Sequence, residues 1–134
     1  MRKLIFLILF NPFILLYSQT ETINIQWNRA GDHLGFPFAL YEDGENTLPY
    51  FTRKNAWKAE GMLPVLSLRV IESTEMDASL LHDIDHTHVK KSPLLEYSLV
   101  REAGHSFVQV KVLPFIKEAD GTIFQVDRFD IVLD

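Results

Sequence analysis

The C-terminal third of this sequence alternates between apolar and polar side chains, and this alternation limits the possible folds more than any other feature. Residues 95–101, 106–115 and 123–133 follow the pattern, and short glycine-containing segments separate them. A period of two places successive side chains on opposite faces of a strand, and glycine permits the tight turn between paired strands. We therefore predict an antiparallel meander whose last strand bulges near Asp127-Arg128.

The preceding part of the chain predicts further strands. Residues 21–27 alternate in the same way, and residues 63–71 are rich in aliphatic and β-branched side chains. Residues 36–41 are also apolar, but Pro37 has no amide hydrogen for a strand ladder. We expect this third segment at a strand start or a sheet edge.

One short helix interrupts the strands in this prediction. Residues 73–84 carry apolar side chains at roughly helical spacing, and Ser73 or Thr74 is expected to cap the helix. Short strands, turn signals and a single helix together indicate a mainly β fold. The predicted fold is an antiparallel β-sandwich-like single domain with one short helix, following an N-terminal signal peptide.

The N-terminus has the features of a secretory signal peptide. The basic pair Arg2-Lys3 precedes an apolar run, and the small residue Ser18 lies before a polar segment. A membrane anchor is the alternative, but a spanning helix needs about 20 apolar residues and Asn11-Pro12 interrupts this run. We predict a signal peptide at residues 1–18 and an exported domain at residues 19–134, without membrane insertion after cleavage.

The composition of the exported part excludes several functions. The whole sequence has 13 Lys and Arg, 18 Asp and Glu, and no cysteine. Loss of Arg2 and Lys3 leaves 11 basic residues against 18 acidic ones, a formal charge of −7. Nucleic acids require clustered positive charge, so they are not expected partners. Without cysteine the chain can form no disulfide and offers no thiol nucleophile.

The histidine-rich segment 82–88 is the one sequence cluster that suggests chemistry. If the helix continued, His82 and His86 would share one face, and His88 lies nearby. Imidazole and carboxylate ligands suit zinc, whereas the alternative is a polar loop at a helix end. The metalloprotease motif His-Glu-x-x-His and the hydrolase motif Gly-x-Ser-x-Gly are both missing. We therefore expect no catalytic residue, no metal and no cofactor in this chain.

An aromatic pair beside basic residues is the candidate interface. Tyr50 and Phe51 follow Pro49 and precede Arg53. Aromatic side chains are most often part of a core, but together with arginine they also anchor protein interfaces. Both interpretations remain open for Tyr50, Phe51 and Arg53.

The order of these features resembles a known family. An Ile-x-Ile-x-Trp strand at residues 23–27 is followed by the segment 48–51 and a Leu-Arg-Val strand at residues 68–70. The ending contains a proline-centred strand at residues 110–117, an Asp-Gly turn and a closing strand through residues 126–131. This pattern resembles the N-terminal, gingipain propeptide-like region of the PorU-type sortase of the type IX secretion system.

The resemblance implies a non-catalytic module of a larger cell-surface protein. In such a sortase, a cysteine peptidase domain downstream of this region removes C-terminal sorting signals and attaches the cargo to the cell surface. The peptidase's catalytic His and Cys have no counterpart here, so this chain would be a fragment, a truncated product or a stand-alone relative. It would act by binding the downstream peptidase domain or an outer-membrane secretion component, at the outer-membrane surface or outside the cell.

A second hypothesis needs no downstream domain. The chain could be a free-standing secreted β-sandwich that binds a surface protein or a glycan, because aromatic side chains also stack on sugars.

Overall fold

A computed structural model describes residues 19–30, 33–42, 48–57, 63–82 and 84–133. The predicted signal peptide at residues 1–18 lies outside these ranges. The described residues form the following strands and one 3₁₀ helix, in chain order: β1 Gln19–Asn24, β2 Asn28–Ala30, β3 His33–Gly35, β4 Leu40–Tyr41, β5 Pro49–Ala56, β6 Leu66–Glu75, the 3₁₀ helix Ala78–Leu81, β7 Leu94–Glu102, β8 His105–Leu113, β9 Phe115–Lys117 and β10 Ile123–Leu133.

The first sheet is built around the long C-terminal strand β10. Strand β6 pairs with one edge of β10, while β1 and β9 pair with successive parts of the other edge, all antiparallel. The register between β6 and β10 shifts on either side of Arg128. This irregularity confirms the predicted bulge near Asp127-Arg128.

The second sheet has the strand order β4-β5-β8-β7, and its pairs are also antiparallel. Strands β7 and β8 form a hairpin whose two turn residues, Ala103 and Gly104, have φ values of 51° and 82°. Positive φ at both central residues is the geometry of a type I′ turn, which matches the twist of paired strands. Strands β2 and β3 form a separate small hairpin.

The two sheets pack against each other through the inward-facing residues of β8 and β10. Val108, Val110, Phe129 and Ile131 belong to one buried cluster, and the ring of Phe51 meets the ring of Phe129 edge-on at a centroid distance of 5.6 Å. The alternation in the C-terminal third therefore places one apolar face of each sheet in a shared core. The predicted mainly β, antiparallel fold is confirmed.

A second buried cluster fills one end of the sandwich. Its members come from loops as well as strands: Leu34, Leu48, Tyr50, Met76, Leu80, Val89, Leu113, Phe115 and Ile123. Trp27 packs against both clusters and contacts Phe115 at a centroid distance of 5.4 Å. The indole nitrogen of Trp27 donates a hydrogen bond of 3.0 Å to the carbonyl of Val126. The two clusters thus share one anchoring side chain.

The predicted start of the helix is wrong. Ser73 and Thr74 do not cap a helix, because they pair with Val126 and Gln125 in the ladder of β6 and β10. The strand also begins three residues later and ends four residues later than predicted. The 3₁₀ helix follows, and the carboxylate of Asp77 caps it by accepting the amide of Ser79 at 3.0 Å.

The proline-containing segment behaves largely as expected. Leu40 and Tyr41 form the short strand β4 at the edge of the second sheet. Pro37 and Phe38 lie outside that strand, in a turn. The proline has therefore shortened an apolar segment that would otherwise be long enough for a full strand.

Candidate functional site

The predicted aromatic interface is mostly buried. Tyr50 is 9% exposed and belongs to the second core cluster, and the ammonium group of Lys111 lies 4.5 Å from its ring centroid. Phe51 is half-buried against the first cluster. The core interpretation, which the sequence left open, therefore holds for both aromatic residues.

Arg53 lies on the exposed part of β5. Its guanidinium pairs with the carboxylate of Glu21 on β1, so this ion pair links the two sheets at the surface. Exposed pairs of this kind contribute little to stability, roughly 0–1 kcal/mol. The structure does not group Arg53 with Tyr50 and Phe51 in one exposed aromatic patch.

The histidine-rich segment does not form the helix that its proposed metal site required. The 3₁₀ helix ends at Leu81, and His82 is its exposed C-cap. Within the ranges that the structure describes, no group of three or more His, Cys, Asp or Glu side chains is placed to hold a metal ion.

The carboxylate of Asp85 instead accepts hydrogen bonds within its own loop. Its carboxylate accepts the amide of Thr87 at 3.1 Å and the Thr87 hydroxyl at 2.8 Å. These hydrogen bonds, with the nearby charges of His88 and His86, lower the pKa of Asp85. The carbonyl of His86 accepts the ammonium group of Lys117 at 3.1 Å, which holds this loop on strand β9.

A cleft of about 320 Å³ opens between the two sheets, where β10 ends and β1 begins. Its apolar lining includes Trp57, Leu66 and Leu133, and its polar lining includes Glu21 and Asn55. The carboxylate of Glu21 already pairs with Arg53 and lies 3.5 Å from the amide nitrogen of Asn55. The cleft suits the binding of an apolar side chain or a small ring.

No pattern in the sequence indicated this cleft. Its lining residues are spread from Thr20 to Leu133, and strand pairing together with the packing of the two sheets brings them to one place. A pattern within one segment cannot show which strand ends will meet.

A tight turn carries the most exposed large apolar side chain among the described residues. Phe38 is 98% exposed and has φ of 64°. The amide of Ala39 donates to the carbonyl of Phe36 at 3.1 Å and closes the turn around Pro37 and Phe38. Proline followed by a residue with positive φ is the pattern of a type II turn, in which glycine or asparagine usually takes the second position.

The outer face of the first sheet carries a polar network centred on Asp130. This carboxylate is 4% exposed and accepts a hydrogen bond of 2.6 Å from the Thr22 hydroxyl, as well as one from Arg69. The Thr22 hydroxyl and the Arg69 guanidinium lower the pKa of Asp130. Arg128 pairs with Glu72 on the neighbouring strand. The contacts of these groups tie β1, β10 and β6 together, which is a structural role.

No protein-family model, curated protein or solved structure matches this chain. No helix in the described part of the chain has the length and apolar character that crossing a membrane requires.

Proposed function

We propose that this chain is the non-catalytic, propeptide-like N-terminal module of a type IX secretion system sortase. The module acts by binding, either to the peptidase part of the same polypeptide or to an outer-membrane component of the secretion system. Its place of action is the cell surface, after export by the signal peptide at residues 1–18.

The observation that carries this proposal is the position of the residues behind the resemblance. Val110, Val112 and Phe115 of the proline-centred ending are buried, as are Val126 and Phe129 of the closing strand. The residues that carry the resemblance therefore belong to the buried core, which is the position that the proposal requires of them.

A direct binding experiment tests this function. Residues 19–134 would be purified and immobilised, and the separately produced peptidase part of a type IX sortase from the same cell would be passed over them. We expect saturable binding of a 1:1 complex. An unrelated exported β-sandwich of similar charge is the control, and equal retention by that control would refute the proposal.

The second candidate is a free-standing secreted binding module, and the cleft beside Trp57 favours it. This cleft combines an aromatic ring with the polar groups of Glu21 and Asn55, a combination that suits a peptide side chain or a sugar. Trp57→Ala should then weaken binding to a surface protein or glycan at least tenfold. Ile71→Ala changes an exposed residue outside the cleft lining and serves as the control.

A further inference from the structure

The turn at residues 36–39 combines two unfavourable features at one position. A phenylalanine ring is almost fully exposed at Phe38, and the same residue has a left-handed backbone conformation with φ of 64°. Side chains with a Cβ rarely adopt this conformation, and bulky residues adopt it least. Asparagine or glycine would relieve the strain and remove the exposed ring together. Strain of this kind is typical of functional positions.

The residues on both sides of this turn are anchored by contacts within the chain. Phe36 is buried, and its ring meets the ring of Trp27 edge-on at a centroid distance of 5.0 Å. Beyond the turn, the hydroxyl of Tyr41 donates to the carbonyl of Leu34 at 3.0 Å. These contacts hold the backbone on both sides of Phe38 within the chain itself. An aromatic side chain has only two χ angles to order on binding, and a backbone that is already held adds little to this entropy cost.

We propose that Phe38 is a docking anchor that inserts into an apolar socket on a protein partner. Pro37 is exposed and Leu40 is 41% exposed, so both can contact the partner's surface around the inserted ring. The identification of the partner as the peptidase part of the sortase rests on the proposed function. The anchor itself is inferred from the geometry of the turn.

The charge of the module favours a protein partner over a membrane surface. Residues 19–134 carry 11 Lys and Arg against 18 Asp and Glu, which opposes binding to anionic lipid. Segments that bind membranes present a broad apolar face beside Lys and Arg, whereas this turn presents one ring flanked by Pro37 and Leu40 and residues 33–42 contain no Lys or Arg. The strongest aromatic anchors of protein interfaces fill pockets as single, rigid side chains.

The test compares three variants in binding to the separately produced peptidase part of the sortase. Phe38→Asn removes the ring and suits the positive φ, so we expect about 30-fold weaker binding, as for other hot-spot anchors. We expect the thermal midpoint of this variant to stay equal or rise. Phe38→Trp should bind within threefold of the unchanged chain. Val65→Asn alters another exposed apolar residue and should have no effect.

The possible outcomes separate the anchor from the proposed function. Equal binding by all variants would overturn the anchor and leave the function standing. Failure of the unchanged chain to bind would overturn both. Sedimentation of the domain alone tests whether a second copy of this chain binds at Phe38. Flotation with phosphatidylcholine–phosphatidylglycerol vesicles tests whether a membrane binds there. Self-association or vesicle binding that Phe38→Asn abolishes would overturn the choice of partner.

Discussion

Asp130 is buried although the alternation of its strand places it on the outer face of the sheet. Its neighbours Phe129 and Ile131 face the core, so Asp130 lies on the outer face of the sheet, yet it is only 4% exposed. Thr22 and Arg69 on the flanking strands cover it and satisfy its oxygens. A carboxylate enclosed in this way depends on its partners, because a buried charge without hydrogen bonds is costly.

The pH dependence of folding follows from this environment. The pKa of Asp130 lies below its ordinary value of 3.8 in the folded chain. Its contribution to the free energy of unfolding is therefore fully present above that ordinary value and is lost as the pH falls through the folded pKa. Asp130→Asn should flatten the acid side of the stability profile below the ordinary pKa of 3.8. Urea unfolding at several pH values measures this, and an unchanged acid slope would contradict it.

The positive φ of the turn residue Ala103 leads us to predict a stabilising substitution. Ala103 has φ of 51° in a type I′ turn and is followed by Gly104. Asparagine tolerates this conformation better than alanine, and Asn-Gly is the preferred pair for such turns. Ala103→Asn should raise the free energy of unfolding by about 0.5–1 kcal/mol. Chemical denaturation measures the change, and a loss of stability would mean that the turn has another geometry.

At the scale of an element, the hairpin between β9 and β10 also requires a residue with positive φ in its turn. Gly121 has φ of 90°, and its amide donates to the carbonyl of Glu118 at 2.9 Å. Gly121→Ala places a Cβ in this conformation and should lower the free energy of unfolding by about 1 kcal/mol. Ala119→Gly, elsewhere in the same turn, controls for general flexibility. A neutral Gly121→Ala would argue against the predicted hairpin geometry.

The elements that the sequence predicted best are those with a strict period of two. Strands β7, β8 and β10 were found close to the alternating segments, and the bulge in β10 was found where expected. The predicted meander was wrong, because the chain leaves the second sheet at Pro114 and β10 pairs with β6, β1 and β9 in the first sheet. The helix cap was wrong because pairing with β10 outweighed the local capping preference of Ser73 and Thr74. Local propensity is weak evidence wherever a long partner strand is available.

The candidate surfaces were predicted less well than the strands. The pattern of prolines and aromatics left both an exposed and a core position open for Tyr50 and Phe51, and the structure buries Tyr50 and half-buries Phe51. The exposed ring of Phe38 was missed because its apolar neighbours suggested a strand. Exposure of an aromatic residue depends on which segments pack over it, and no local pattern contains that information.

The whole molecule should unfold as one unit. The two core clusters are bridged by Trp27, and β10 contributes to both of them. Phe129 in the first cluster and Phe115 in the second are completely buried. Phe129→Ala and Phe115→Ala should each lower the free energy of unfolding by about 3–5 kcal/mol.

Calorimetry and denaturation followed by tryptophan fluorescence test this cooperativity. Both variants should retain a single transition with coincident probes. A second transition that appears in only one of the variants would show that the clusters unfold independently. Leu63→Ala, at an exposed site, is the matched control for an apolar deletion outside the core.

The size of the native product tests the proposed identity of this module most directly. Cell-envelope and medium fractions would be blotted with an antibody raised against residues 19–134. We expect a band in the envelope fraction far larger than the 134-residue chain, with sortase peptidase peptides in the same band by mass spectrometry. A band of the mature size of this chain, found in the medium, would contradict the account and identify a free-standing secreted domain.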